Sequence, residues 1–195
     1  MRAGLIPFGK SDLVLASGGI DSSALLALAR AEGMRPKALF VDYGQAAASA
    51  EEAAVAGICS DLGICLQVVR YRSRHFGAGE LRGRNAFLLQ TALLEFRAPF
   101  GTIMMGIHAG TGYRDCSREF VEVMQRSFDF HAGGSISVAA PFIDWTKGDI
   151  CRLALALDVP IRRTYSCEAG NVPCGRCRSC VDRQALSLEV PGDRT

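Results

Sequence analysis

Two stretches of this chain carry residue types whose spacing can do chemistry. The first is Asp12-Leu-Val-Leu15-Ala16, then Ser17-Gly18-Gly19-Ile20-Asp21-Ser22, then Ser23-Ala24-Leu25. Residues 12–16 are a short apolar run with the character of a buried strand. Gly18 and Gly19 permit a tight turn that brings backbone close to a ligand. Ala24, Leu25, Leu28 and Ala29 then recur at helical spacing. A strand, a glycine turn and a helix start present backbone N–H groups without intrahelical partners at the positive end of a helix dipole. That is an anion site, and phosphate is its usual occupant. Ser17 and Ser22 add hydroxyl donors. Asp21 repels phosphate unless a cation stands between them, so it reads as a Mg²⁺ ligand or as an N-terminal cap. No lysine follows the last glycine, which separates this turn from a Walker loop. The plain alternative is a glycine turn whose Ser and Asp only cap the helix.

The second stretch is Cys167-Glu-Ala-Gly-Asn-Val-Pro-Cys174-Gly-Arg-Cys177-Arg-Ser-Cys180. Three of its cysteines follow a C-x-x-C-x-x-C spacing, with Gly175 free to form a metal knuckle. Four thiolates suit tetrahedral Zn²⁺, and a site closed by four protein ligands is structural rather than catalytic. An iron–sulfur cluster and a redox thiol pair are the rivals. The Cys-Pro continuation usual in ferredoxins is missing. Cys59, Cys65, Cys116 and Cys151 lie mostly in apolar runs and read as core.

The elements that must position these groups alternate in kind. Strands are expected at 12–16, 37–41, 64–70, 102–107 and 136–140. Helices are expected after the glycine turn and at 46–61, 86–97, 118–130 and 147–157, the last opened by Thr146 with Asp149 three residues on. Such alternation predicts an α/β fold with a doubly wound, mostly parallel sheet. Ligands then sit beyond the carboxyl ends of the strands. Asp42-Tyr43-Gly44-Gln45 and the polar loop from His108 to Cys116 fall at such ends. His108 is either a satisfied structural histidine or a ligand. Residues 71–84 hold Arg72, Arg74, Arg82 and Arg84 among glycines, and read as a solvated loop or an anion-facing lid. Residues 1–11 read as a loose leader.

The chain has 195 residues, 49% of them hydrophobic, and a net charge of +2. That allows one sizeable core and demands neither nucleic acid nor a membrane surface as partner. No apolar run approaches the ~20 residues of a membrane span, and no signal segment opens the chain, so a cytoplasmic protein is expected. In a reducing compartment eight cysteines point to metal or chemistry rather than disulfides.

The order Ser-Gly-Gly-x-Asp-Ser resembles the pyrophosphate loop of the N-type ATP pyrophosphatases, an adenine nucleotide alpha hydrolase-like superfamily. Taken with the cysteine spacing, the chain resembles the 7-cyano-7-deazaguanine synthases of queuosine biosynthesis or a close paralogue. The likeness rests on Ser17–Ser22, Asp42–Gln45, Arg84-Asn85, Gly112–Ser117 with Glu119-Phe120, Pro141–Asp144 with Lys147, and Thr164 through Cys180 to Arg183. It implies a carbon–nitrogen ligase that uses ATP and Mg²⁺ to adenylate 7-carboxy-7-deazaguanine, releasing pyrophosphate. Ammonia then displaces AMP, and a second activation dehydrates the amide to the nitrile.

The resemblance further implies catalytic roles for Ser17, Asp21, Ser22 and Lys147. It implies ATP contacts along Leu15, Ala16, Ser17, Gly18, Gly19, Ile20, Asp21, Ser22, Ser23, Ala24 and Leu25, with Asp42 and Gly106. Substrate contacts fall to Tyr43, Gln45, Arg84, Asn85, His108, Tyr113 and Asp115, and Zn²⁺ to Cys167, Cys174, Cys177 and Cys180. It divides the chain into an ATP-binding domain, 1–160, and a four-cysteine segment, 161–195, and implies a homodimer.

The chain departs from the family pattern at Ala46-Ala47-Ala48, where a basic pair with His is usual, and in shorter segments before Arg84 and Tyr113. Those changes leave open a paralogue that stops at an amide, or joins the deazaguanine to another amine, on a protein partner in an antiviral defence system. A nucleotide-binding module without turnover is disfavoured by the intact loop. A tRNA sulfur transferase is disfavoured by the low net charge and the closed cysteine set.

Overall fold

A computed structural model describes residues 11–71, 75–77, 79 and 81–189, with backbone alone for 185–189. Most of the expected leader and the lid arginines Arg72 and Arg74 lie outside the described residues.

The expected alternation is present. Strand β1 (Asp12–Leu15), helix α1 (Ile20–Ala31), β2 (Lys37–Asp42), α2 (Ala48–Leu62), β3 (Leu66–Arg70), α3 (Arg84–Glu95), β4 (Gly101–Met105), α4 (Arg118–Ala132), β5 (Ile136–Ala139), α5 (Lys147–Ala156) and α6 (Arg178–Glu189) follow in order. The five strands form one sheet, ordered β3-β2-β1-β4-β5 and parallel at every pairing. Parallel strands are covered on both faces, so their residues read as continuous apolar runs. Val14, Ala38, Phe40 and Met104 face one core layer with Leu25 and Leu28 of α1, Ile58 of α2, and Ile150 and Ala154 of α5. Leu13, Leu15, Leu39, Ile103 and Met105 face the other, with Leu89 and Ala92 of α3 and Met124 and Phe128 of α4.

Winding therefore changes face between β1, which feeds α1, and β4, which follows α3. The strand ends diverge there, and a crevice opens beyond their carboxyl ends. Gly63 and Gly133 end α2 and α4 in left-handed conformation, as helix-stop glycines do. Element bounds differ from expectation by a few residues. The third helix begins at Arg84 rather than 86 because Gly83, at φ 77°, turns the chain into it. Helix α6 carries Cys180 in its first turn and runs on through a segment whose polar composition gave no periodic signal. Among the described residues, no helix is long and apolar enough to cross a membrane.

Candidate functional site

The glycine turn joins β1 to α1 as its residue types demand. Gly18 has φ +75°, and a Cβ there would stand 2.7 Å from the Glu51 carbonyl oxygen and 2.9 Å from the Val55 nitrogen. Only glycine lets the turn lie this close to the backbone of α2. Gly19 is the N-cap of α1 and offers no side-chain cap. Ser22 Oγ accepts from the Ser17 N–H at 3.2 Å and lies 3.3 Å from Ser17 Oγ, so the two hydroxyls face each other across the turn. Ser23 instead donates to the Gly19 carbonyl at 2.8 Å. Asp21 does not cap the helix. Its Oδ1 accepts from Lys147 Nζ at 2.5 Å, and its Oδ2 lies 4.0 Å from His108 Nε2.

Lys147 reaches this point because α5 packs along α1 and because Thr146 fixes where α5 starts. Thr146 Oγ1 accepts from the Asp149 N–H while the Asp149 carboxylate accepts from the Thr146 N–H, a reciprocal capping box. Gly106, just past β4, allows the strand end to approach α1. A Cβ there would meet the Asp21 carbonyl at 3.1 Å and the Ser22 nitrogen at 3.2 Å.

These groups line a cavity of about 310 Å³ at the strand ends. Its wall includes Leu15, Ala16, Ser17, Gly19, Ile20, Asp21 and Ser22 from the turn, with Tyr43, Gln45, Arg84, Asn85, Gly106, His108, Tyr113, Asp115 and Lys147. The structure thus brings most of the expected site residues to one crevice. Gly18, Ser23, Ala24, Leu25 and Asp42 lie outside that wall: Ala24 and Leu25 are core, and Asp42 holds the Gly44 N–H at 2.9 Å. Gln45 organises the turn after β2. Its Oε1 accepts from the Tyr43 N–H and its Nε2 donates to Glu51, each at 2.9 Å. Asn85 Nδ2 donates to the Asp115 carbonyl at 3.0 Å, tying α3 to the loop after β4.

Burial raises the Glu51 carboxyl above its ordinary range, against the opposing bond from Gln45. Burial also lowers His108, which keeps its imidazole neutral.

The rest of the wall comes from residues that the sequence did not single out as site residues. Tyr165, Ser166, Glu168, Ser179, Asp182 and Arg183 bring the cysteine segment directly against the turn. The Tyr165 N–H donates to the Gly18 carbonyl at 2.9 Å, and Asn171 Oδ1 accepts from the Ala50 N–H at 3.1 Å. Arg183 fastens the base of the segment through Thr164 Oγ1 at 2.7 Å and the Ile161 carbonyl at 2.9 Å. The available signal was position: Tyr165 and Ser166 stand immediately before Cys167, and Arg183 follows Cys180 by one turn of helix.

The four sulfurs of Cys167, Cys174, Cys177 and Cys180 lie within 4.8 Å of one another. Backbone N–H groups of Ala169 and Cys174 point at Cys167 Sγ at 3.4 Å, and that of Cys177 at Cys174 Sγ at 3.3 Å. Such donors favour thiolate: the backbone N–H groups of Arg176 and then Cys177 draw Cys174 down to about 6, whereas burial pushes Cys180 up to about 12. Four clustered sulfurs with donors aimed at them fit one tetrahedral metal ion.

Comparison with known proteins identifies the family. The model described as "Queuosine biosynthesis protein QueC" matches residues 11–82 and 73–189. The chain belongs to the QueC family. A 7-cyano-7-deazaguanine synthase of Methanoculleus marisnigri is 33% identical over 93% of this chain and 97% of that protein. The synthase of Persephonella marina is 31% identical over 93% and 95%, and that of Desulfotalea psychrophila 27% over 88% and 91%. Among solved structures, NMN synthetase from Francisella tularensis aligns at 13% identity with a TM-score of 0.46, covering 94% of this chain and 80% of that one.

Proposed function

We propose that this QueC-family chain is an ATP-dependent carbon–nitrogen ligase that converts 7-carboxy-7-deazaguanine to its nitrile through an adenylated acid and an amide. The observation that carries the reading is the convergence of the Ser17–Ser22 turn, Asp21 and Lys147 on one crevice in a chain that matches the family from 11 to 189.

The chemistry suits those groups. A carboxylate resists nitrogen nucleophiles because it would have to expel oxide. Transfer of AMP from ATP to a carboxylate oxygen creates a good leaving group and releases pyrophosphate. The N–H groups opening α1 and the hydroxyls of Ser17 and Ser22 receive the phosphates, where negative charge grows as pyrophosphate departs. Lys147 stands at the same point and neutralises part of that charge. Asp21 orients Lys147 and is the carboxylate available to Mg²⁺, which supplies charge neutralisation when bound. Ammonia then takes the acyl carbon, and AMP leaves with the oxygen. Repetition on the amide oxygen removes the second oxygen and leaves the nitrile. Tyr43, Gln45, Arg84 and Glu51, on the β2 side of the crevice, hold the deazaguanine. Cys167, Cys174, Cys177 and Cys180 hold a structural Zn²⁺ that shapes the wall carried by Tyr165–Glu168.

The test is product analysis by mass spectrometry from ATP, Mg²⁺, 7-carboxy-7-deazaguanine and ammonium salt. AMP, pyrophosphate and the nitrile are expected. An amide that accumulates without nitrile overturns the second activation, and absence of AMP overturns the reading.

A further inference from the structure

Glu51 stands in the first turn of α2, on the wall of the crevice. A Cβ on Gly18 would lie 2.7 Å from its carbonyl oxygen, so the residue packs directly against the phosphate turn. Among the described residues its carboxylate has one hydrogen-bond donor: Oε2 accepts from Gln45 Nε2 at 2.9 Å. Gln45 is itself fixed. Its Oε1 accepts from the Tyr43 N–H at 2.9 Å, and its Nε2 also reaches the Val41 carbonyl at 3.3 Å. The end of β2 therefore aims the Glu51 carboxylate.

That carboxylate is short of donors. Two carboxylate oxygens accept about four hydrogen bonds, and Gln45 supplies one. Among the described residues, no Lys, Arg or His stands within ion-pair distance of Glu51. Burial raises its carboxyl, Asp42 and Glu168 add like charge, and Arg84 opposes them from farther away. The residue is nonetheless not sealed: it is half-buried and keeps surface on the cavity. A carboxylate in such surroundings gains most from a ligand edge that brings N–H groups.

The two organic reactants differ in the edge they can offer. The six-membered ring of the deazaguanine carries N1–H and the 2-amino group side by side, two parallel donors that match two carboxylate oxygens as a guanidinium fork does. The corresponding edge of adenine sets a donor beside an acceptor, and the acceptor would face a carboxylate oxygen. The carboxyl of the acid sits on the other ring, so a base held by its amino edge leaves that carboxyl free to meet ATP.

We infer that Glu51, aimed by Gln45, reads the N1–H and 2-amino edge of the deazaguanine and makes the site select a guanine-type ring. This inference rests on the ligase reading for its substrate.

The test is calorimetric titration of the full chain, with Mg²⁺ and α,β-methylene-ATP present. The two ligands are 7-carboxy-7-deazaguanine and its counterpart lacking the 2-amino group. Wild type should bind the counterpart about tenfold or more weakly, the usual effect of losing half of a bidentate pair. Glu51→Gln keeps the size of the side chain and should weaken the acid by about tenfold or more, so that the two ligands come within about twofold of each other. The Kd of α,β-methylene-ATP should stay within about twofold of wild type. Equal affinity of wild type for the two ligands overturns the inference, as does discrimination that survives in Glu51→Gln. A matching loss of α,β-methylene-ATP affinity overturns it too, since Glu51 then serves the nucleotide. Discrimination without acid-dependent AMP release from ATP would overturn the ligase reading and leave the recognition by Glu51 standing. AMP release without discrimination would do the reverse.

Discussion

Lys147 Nζ donates to Asp21 Oδ1 at 2.5 Å, joining the first turn of α5 to the first turn of α1 across 126 positions of sequence. Both side chains are about a third exposed or less, at 30% and 26%. A pair this wet contributes between about 0 and 1 kcal/mol to folding, so its placement at the mouth of the phosphate turn matters more to chemistry than to stability.

The first prediction follows from that balance. Asp21→Asn and Lys147→Met should each leave the unfolding free energy measured in urea within about 1 kcal/mol of wild type. Each should lower acid-dependent AMP release by about 100-fold or more, because charge developing on the departing phosphates loses a preorganised partner. Chromatographic quantitation of AMP checks this, and near-normal release from either folded variant refutes it.

Thr146 offers a second prediction, because it fixes the start of α5 one residue before Lys147. Thr146→Ala should cost about 1 kcal/mol of stability, the usual loss of an N-cap. It should also reduce AMP release, by letting the first turn that carries Lys147 fray. The Asp149 carboxyl is held below its ordinary value, first by the Thr146 hydroxyl and then by the Thr146 N–H and Arg152. A depressed carboxyl stabilises the fold above its unfolded pKa, and that contribution disappears as pH falls through the lower folded value. Wild type should therefore lose the advantage of its cap under acid conditions, and the stability gap to Thr146→Ala should narrow there. Chemical denaturation at neutral and at acid pH measures the gap.

The sheet and the phosphate turn were legible because they are local. An apolar run, two glycines and a 3.6-residue period lie within twenty positions at the start of the described chain, and tertiary packing only completes them. The crevice was half legible. Asp42–Gln45 and the His108 loop could be placed at strand ends from alternation alone. The pairing of Asp21 with Lys147 could not, because it needs α5 to return beside α1. The cysteine segment shows the limit more sharply. Its spacing announced a metal knuckle, yet nothing in a run of thiols says that Tyr165 will bond Gly18 or that Glu168 and Arg183 will face the crevice. A boundary near residue 160 suits the composition. The structure presses the segment against the turn.

Gly18 and Gly33 give a matched third prediction. Both have positive φ, +75° and +80°, but only Gly18 has backbone where a Cβ would go. Gly33→Ala should lose on the order of 1–2 kcal/mol from left-handed strain alone. Gly18→Ala should lose clearly more, since α2 would have to retreat at Glu51 and Val55 to make room for the methyl group. It should also abolish AMP release, which Gly33→Ala should preserve. Equal destabilisation of the two in denaturant titrations would show that the turn is not pinned against α2.

The last prediction concerns the metal. The cysteine segment carries Tyr165, Ser166, Glu168, Ser179, Asp182 and Arg183 into the cavity wall and holds the Gly18 carbonyl through the Tyr165 N–H. Four thiols without a cation have little to keep them together, because the segment between Cys167 and Cys180 is mostly turn, with Val172 78% exposed and no share in either core layer. The sheet and α1 to α5 have those layers and do not depend on the metal. Removal of zinc by a chelator, or Cys174→Ser, should therefore loosen the wall first and leave the α/β body standing. Elemental analysis should find one zinc per chain in wild type. The metal-free protein should keep most of its far-ultraviolet circular dichroism and its sheet-unfolding transition. Its KM for ATP should rise about tenfold, the loss of roughly 1.4 kcal/mol of preorganisation in a wall that ATP must then order itself. Re-addition of zinc should restore the affinity of the chelated protein but not of Cys174→Ser. A metal-free protein that binds ATP as wild type does would show that the segment closes the crevice through Tyr165, Asn171 and Arg183 alone.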